Sequence, residues 1–198
     1  MSKQTSKTRT MVGVALFTAI VVVLQLLSST IRFGPFSITL ALIPIVVGAA
    51  LYGVAAGAWL GLAFGLTVLL SGDAAPFLAV NVLGTILTVL LKGAAAGACA
   101  GLIYKALHSK NDTVAITLGA LSAPIANTGV FLLGCLAFFM PTLRQWMGGT
   151  QFESVGAYMI FGLVGLNFLV ELGTIVVLSP VIHRLIAFGK KKIAGRIG

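Results

Sequence analysis

From Met11 to Leu185 apolar runs follow one another with hardly a polar interruption of any length, as in MVGVALFTAIVVVLQLL (11–27) and NVLGTILTVLLKG (81–93). A helix that crosses a bilayer consumes ~20 such residues, so about six spans would nearly exhaust the 198-residue chain. Charged residues make up only 9% of it, against roughly a quarter in a soluble domain. Backbone polar groups in hydrocarbon must pair within their own segment or around a closed barrel. With no alternating strand pattern in sight, the expected fold is all-α. We expect one membrane domain over residues 1–198, with spans near 10–29, 38–53, 54–71, 79–107, 113–140 and 156–188. The tight turn at Tyr52 and Gly53 makes the second and third spans antiparallel neighbours.

The net charge of +9 does not point to nucleic acid, because the basic residues cluster at span ends. Lys3, Lys7 and Arg9 precede the first span, Lys105 and Lys110 lie in a short loop, and Arg184, Lys190, Lys191, Lys192 and Arg196 close the chain. Placing all three groups in the cytoplasm satisfies the positive-inside rule and requires an even number of spans with both termini inside. The run from Lys190 to Lys192 is also suited to anionic headgroups of the lipid bilayer. The basic N-terminus before an apolar run has the layout of a secretory signal, but no Ala-x-Ala site follows, and we read it as the first span.

Enzyme readings find little support. No Gly-x-x-x-x-Gly-Lys-Ser/Thr loop cradles a nucleotide, so ATP-driven work would have to come from partners. Cys99 and Cys135 sit within apolar runs, as small core residues do. Neither His108 nor His183 has a ligand-type neighbour at i+4, and neither Ser71 nor Ser122 lies in a nucleophile motif. Asp73 and Asp112 fall in connections on opposite sides of the membrane, which excludes a carboxylate dyad. No catalytic residue, metal or cofactor is expected.

On this topology the external connections are 29–37, 71–77 and 141–154. The longest, PTLRQWMGGTQFES, is either an interfacial belt around Trp146 or a lid over a binding site. Gly53, Gly57, Gly61 and Gly65 on the third span, and Gly93, Gly97 and Gly101 on the fourth, recur every fourth residue. Such ladders let another backbone approach closely. The first span carries a smaller version, Ala15-x-x-x-Ala19. No internal duplication is evident, which disfavours an inverted-repeat transporter.

Polar residues form a second pattern on the fourth span. Asn81, Thr85, Thr88 and Lys92 are spaced four, three and four apart, a narrow stripe on a helix with 3.6 residues per turn. Lys92 lies roughly 16–20 Å from either end of the span at 1.5 Å per residue. A lysine at that depth costs on the order of 2.5–3.5 kcal/mol and should face a partner or a wet cavity. Glu171 is the intramembrane acid, sharing a helix face with Asn167 and Thr174, while Asn127 lies one turn after Pro124 on the fifth span. Two readings stay open. One is a structural Lys92–Glu171 pair with asparagines as interhelical glue. The other, which we favour because a pair alone does not require the remaining amides and hydroxyls, is a polar pocket for a small hydrophilic ligand. Lys92 would suit a carboxylate or phosphate on that ligand.

The basic N-terminus, the Ala15/Ala19 pair, about six spans and FGPFSITLALIPIVVGAALYGVAAGAWLGLAFG (33–65) together resemble the substrate-binding S component of energy-coupling factor vitamin transporters. The resemblance implies a multi-pass protein of a prokaryotic plasma membrane that binds a water-soluble vitamin or related micronutrient on the external side. It implies docking on a membrane coupling protein driven by two cytoplasmic ATPases, with Ala15 and Ala19 as the contact. The implied ligand site lies among helices four to six and the loops after helices one and three. That matches Asn81, Thr85, Thr88, Lys92, Asn127, Asn167 and Glu171, with Arg32 and Asp73 as loop contributors. Neither the aromatic-rich signature of thiamine-specific members nor a match to biotin-specific ones is present. The alternative is a stand-alone secondary transporter using Lys92 and Glu171 as an ion relay. An intramembrane enzyme dependent on Glu171 and a structural subunit without a ligand are further rivals.

Overall fold

The structure, a computed structural model, describes residues 3–30, 32–33, 36–37 and 39–194, with side chains described for residues 7–30 and 39–193. Its elements in chain order are α1 (Lys3–Thr30), β1 (Arg32–Phe33), β2 (Phe36–Ser37), α2 (Leu42–Tyr52), α3 (Val54–Leu70), α4 (Ala75–Leu78), α5 (Val82–Leu107), α6 (Asp112–Phe138), α7 (Met140–Met147), α8 (Val155–Ala157), a π-helical stretch (Tyr158–Val164) and α9 (Gly165–Ala194). The expected all-helical architecture holds apart from a two-rung antiparallel ladder that pairs Arg32 with Ser37 and Phe33 with Phe36.

Among the described residues four helical segments are long and apolar enough to cross a membrane: Lys7–Thr30, Val82–Leu107, Asp112–Phe138 and Val155–Ile193. The other two apolar helices are shorter, 11 residues in α2 and 17 in α3. At 1.5 Å per residue, α2 falls well short of a hydrocarbon core ~30 Å thick. Gly53 separates the two with φ +94° and no neighbour within 4 Å of the place a Cβ would take, a conformation that favours glycine. Both glycine ladders meet. Gly57 lies against Gly97, Gly61 against Gly93 and Gly65 against Val89, backbone to backbone, so α3 and α5 approach as closely as helices can. On its other side α5 packs along α6.

The outer surface is apolar, as lipid contact demands. Met11, Val12 and Leu16 on α1, Leu83 on α5, Leu133 on α6 and Val177 on α9 are all exposed. Only one face of α1 turns inward, carrying buried Val21, Gln25 and Ser28. At the end of the bundle that holds the α5–α6 connection, Lys190 binds both carboxylate oxygens of Asp112 at 2.7 and 2.9 Å. Tyr104 Oη donates to the same carboxylate at 3.0 Å, which ties α5, α6 and α9 together.

Candidate functional site

The α5 stripe begins with a structural role. Asn81 is the N-cap, its Oδ1 accepting from Gly84 N at 2.9 Å, one of the donors that a helix start leaves unpaired. Thr85 sits one turn on and donates its hydroxyl to the Asn81 carbonyl at 2.7 Å. Thr85, Thr88 and Lys92 then line a cavity of about 50 Å³, together with Val68 and Ala74 from the α3–α4 segment and Val89. Three phenylalanines, Phe77, Phe131 and Phe139, complete its wall. Asn81 is not part of that wall.

Lys92 makes no hydrogen bond or ion pair with any described residue. Its ammonium instead lies over the rings of Phe131 and Phe64, 5.3 and 5.9 Å from their centroids. The direct Lys92–Glu171 link left open by the sequence is therefore not formed. Glu171 is buried on α9 and accepts from Asn167 Nδ2 at 3.1 Å, a bond between residues four apart on one face. Its other carboxylate oxygen has no partner, and neither do Thr88 Oγ1 and Asn127 Oδ1. All three residues are more than nine-tenths buried, and buried polar groups in native folds are rarely left so. The sequence-predicted residues thus divide. Thr85, Thr88 and Lys92 share the cavity, Asn127 on α6 and the Asn167–Glu171 pair on α9 are not among its lining residues, and Asn81 caps α5. Arg32 falls in β1, and its side chain lies outside the described residues.

Sequence reasoning missed a contribution from α1. Gln25 Nε2 donates to Asp73 Oδ2 at 2.9 Å, which Ser71 Oγ also reaches at 3.0 Å. Buried Gln25 Oε1 and Ser28 Oγ have no partner. The signal was available, since Val21, Gln25 and Ser28 follow the same i, i+4, i+7 rule as the α5 stripe. The aromatic wall was missed as well. Phe77, carried on the four-residue helix α4, meets Phe131, Phe139 and Trp146 edge-on at 5.5, 5.1 and 5.3 Å. Trp146 belongs to α7, so part of the segment 141–154 packs against this aromatic cluster, with Leu143 buried beside Phe139.

Ala15 and Ala19 are exposed on α1. Ala15 borders a groove of about 600 Å³ between α1 and α3, walled by Val14, Thr18, Tyr52 and Trp59. Trp59 Nε1 bridges it by donating to Thr18 Oγ1 at 3.2 Å. Among the described residues no three His, Cys, Asp or Glu side chains gather as metal ligands.

The family model described as ECF transporter, substrate-specific component, matches residues 9–183. No curated protein matches the chain. The chain belongs to the family of ECF transporter substrate-specific components, integral membrane binding subunits rather than enzymes, which take a small-molecule substrate and work with ECF partner subunits.

Proposed function

We propose that this substrate-specific component captures a small water-soluble, vitamin-like solute from the external side of a prokaryotic plasma membrane. The chamber is the cavity bounded by α3, α4, α5 and α6, and Lys92 anchors a carboxylate or phosphate of the solute. Delivery follows by reorientation within an ATP-driven complex, the Ala15/Ala19 face of α1 docking on a membrane coupling protein that two cytoplasmic ATPases drive.

One observation carries this reading: an ammonium deep in an apolar bundle faces a cavity yet has no carboxylate partner among the described residues. A charge at that depth is costly to bury, and a partner arriving from solution would repay it. The exposed small residues of α1 beside an apolar groove support the docking half, because such surfaces admit close helix approach.

The test separates the two halves. Lys92→Ala should weaken binding of the co-purifying solute, identified by mass spectrometry, by roughly ten- to a hundredfold, the range expected for a hydrogen bond to a charged group. Assembly with the coupling protein should be untouched. Leucine at both Ala15 and Ala19 should do the opposite. If Lys92→Ala breaks the complex and spares binding, the assignment is wrong.

A further inference from the structure

We infer that the cavity at Lys92 is a subsite for one monoanionic group, the carboxylate end of the solute, and that a phosphate does not fill it; the inference rests on the capture reading above. Of the nine residues that line the cavity, Lys92 alone carries a charge. Its ammonium lies over two phenylalanine faces, a weaker attraction in a water-poor site than an anion at contact distance. One positive charge is balanced by one negative charge. A phosphate monoester carries about −1.5 to −2 at pH 7, which would leave part of its charge unpaired among apolar walls, the costly case for buried ions.

The donors on the wall suit two oxygens. Lys92 has N–H groups that no described residue takes up, and Thr88 adds a hydroxyl. Thr67 and Thr85, the other buried threonines among the described residues, spend their hydroxyl hydrogens on the carbonyls four residues back, at 2.8 and 2.7 Å, a common arrangement inside helices. Thr88 Oγ1 has no partner, although the residue is only 3% exposed. Thr88 and Lys92 are four apart on α5 and therefore neighbours on one helix face. A carboxylate seated against them accepts from the ammonium on one oxygen and from the hydroxyl on the other.

Size and wall chemistry agree with this. About 50 Å³ is room for roughly three to five water-sized spheres of about 10–15 Å³ each, enough for a carboxylate and the carbon that bears it. What the cavity encloses is the acid end of the solute. The rest of the wall, Val68, Ala74, Val89 and the three phenylalanines, has no side-chain donor for the further oxygens of a phosphate. Such a surface suits the hydrocarbon next to an acid group.

Thermal unfolding of the full-length protein in detergent, stripped of solute and held at pH 8, tests the subsite with sodium propionate as the probe. A ligand that binds only the folded state raises the midpoint according to its concentration over Kd. Inorganic phosphate, chloride and propionamide are the comparisons, and the same series on Lys92→Met subtracts the general effect of salt. Propionate should raise the wild-type midpoint, with a fitted Kd at least about tenfold tighter than in Lys92→Met. Thr88→Val, which keeps the shape and removes the hydroxyl, should weaken propionate about tenfold as well. Phosphate and propionamide should act alike on wild type and Lys92→Met. A Lys92-dependent response to phosphate or chloride equal to that of propionate overturns the inference. So does a propionate response that survives in Lys92→Met, or no propionate response at all. If the co-purifying solute carries no carboxylate, the subsite assignment falls and capture stands. If no solute co-purifies while propionate still acts through Lys92, the capture reading falls and the cavity's preference for a carboxylate holds.

Discussion

Replacing Gly61 with alanine inserts a methyl group into the seam between α3 and α5. An ideal Cβ there runs into the carbonyl oxygen of Gly93, with the Gly93 carbonyl carbon at 2.5 Å and Ala94 N at 3.1 Å. The obstacle is the backbone of a second helix, which cannot rotate away as a side chain would. The helices would have to part by about 1 Å to restore ordinary contact, and the Gly57–Gly97 and Gly65–Val89 approaches on either side would loosen with them. Overpacking of this kind costs ~1–3 kcal/mol, and a contact against fixed backbone belongs at the upper end. Alanine returns ~1 kcal/mol of helix propensity, so the net loss should be about 2 kcal/mol. Thermal unfolding in detergent, followed by tryptophan fluorescence, would read it as a clear drop in midpoint. The control is Gly173→Ala on α9, where a Cβ meets nothing within 4 Å and the change should be neutral or stabilising by up to ~1 kcal/mol. Equal midpoints for the two variants would refute the argument that backbone contact along the ladder holds α5 in place. Because Lys92 adjoins Gly93, solute affinity should fall in Gly61→Ala as well.

Two further outcomes follow from the site. Asn81→Ala should lower stability by ~1 kcal/mol, as loss of an N-cap does, while the Kd for solute stays within about twofold, since that loss lies in the helix start rather than in the cavity; a large change in Kd at unchanged midpoint would make Asn81 a ligand contact after all. Phe77→Ala removes a ring that meets three others, each such pair being worth ~0.5–1.5 kcal/mol beyond its buried area, so solute dissociation measured by washout should accelerate at least about tenfold; an unchanged off-rate would show that α4 is no part of the cover.

How far the sequence could be followed depended on what kind of physics placed each residue. The stripe from Thr85 to Lys92 was legible because a helix puts residues three and four apart on one side, and that geometry survives any packing arrangement. Asn81 shared the spacing, and its Oδ1 serves the helix start. Span ends were harder to read. Residues 39–41 precede the helix that begins at Leu42, and nothing in an apolar run marks where winding starts. The π-helical stretch from Tyr158 to Val164 is a shift in hydrogen-bond register, with no compositional mark. In MPTLRQWM the proline, arginine and glutamine read as loop, yet Met140, Leu143 and Met147 recur at helical spacing on α7. Phe77 and Phe139 reached the cavity only through the tertiary fold.

The polar groups of the bundle sort by whether they are satisfied, and that sorting bears on the role of Lys92. Where polar side chains serve to join helices, their partners are present. Lys190 and Tyr104 converge on Asp112, Thr117 meets the His183 ring at 3.2 Å, and Trp59 reaches Thr18. Around Lys92 the pattern inverts. Glu171 is oriented by Asn167 from its own helix rather than by the ammonium, and Thr88 and Asn127 keep unpaired oxygens. A purely structural lysine would gain most by closing on the buried carboxylate, because attraction between charges is strongest where water is excluded. Its ammonium rests instead on aromatic faces beside open space. A site that holds its charges apart and its acceptors unfilled gains its missing interactions when a solute supplies them, which is how a binding subunit draws affinity from groups that contribute little to its own fold.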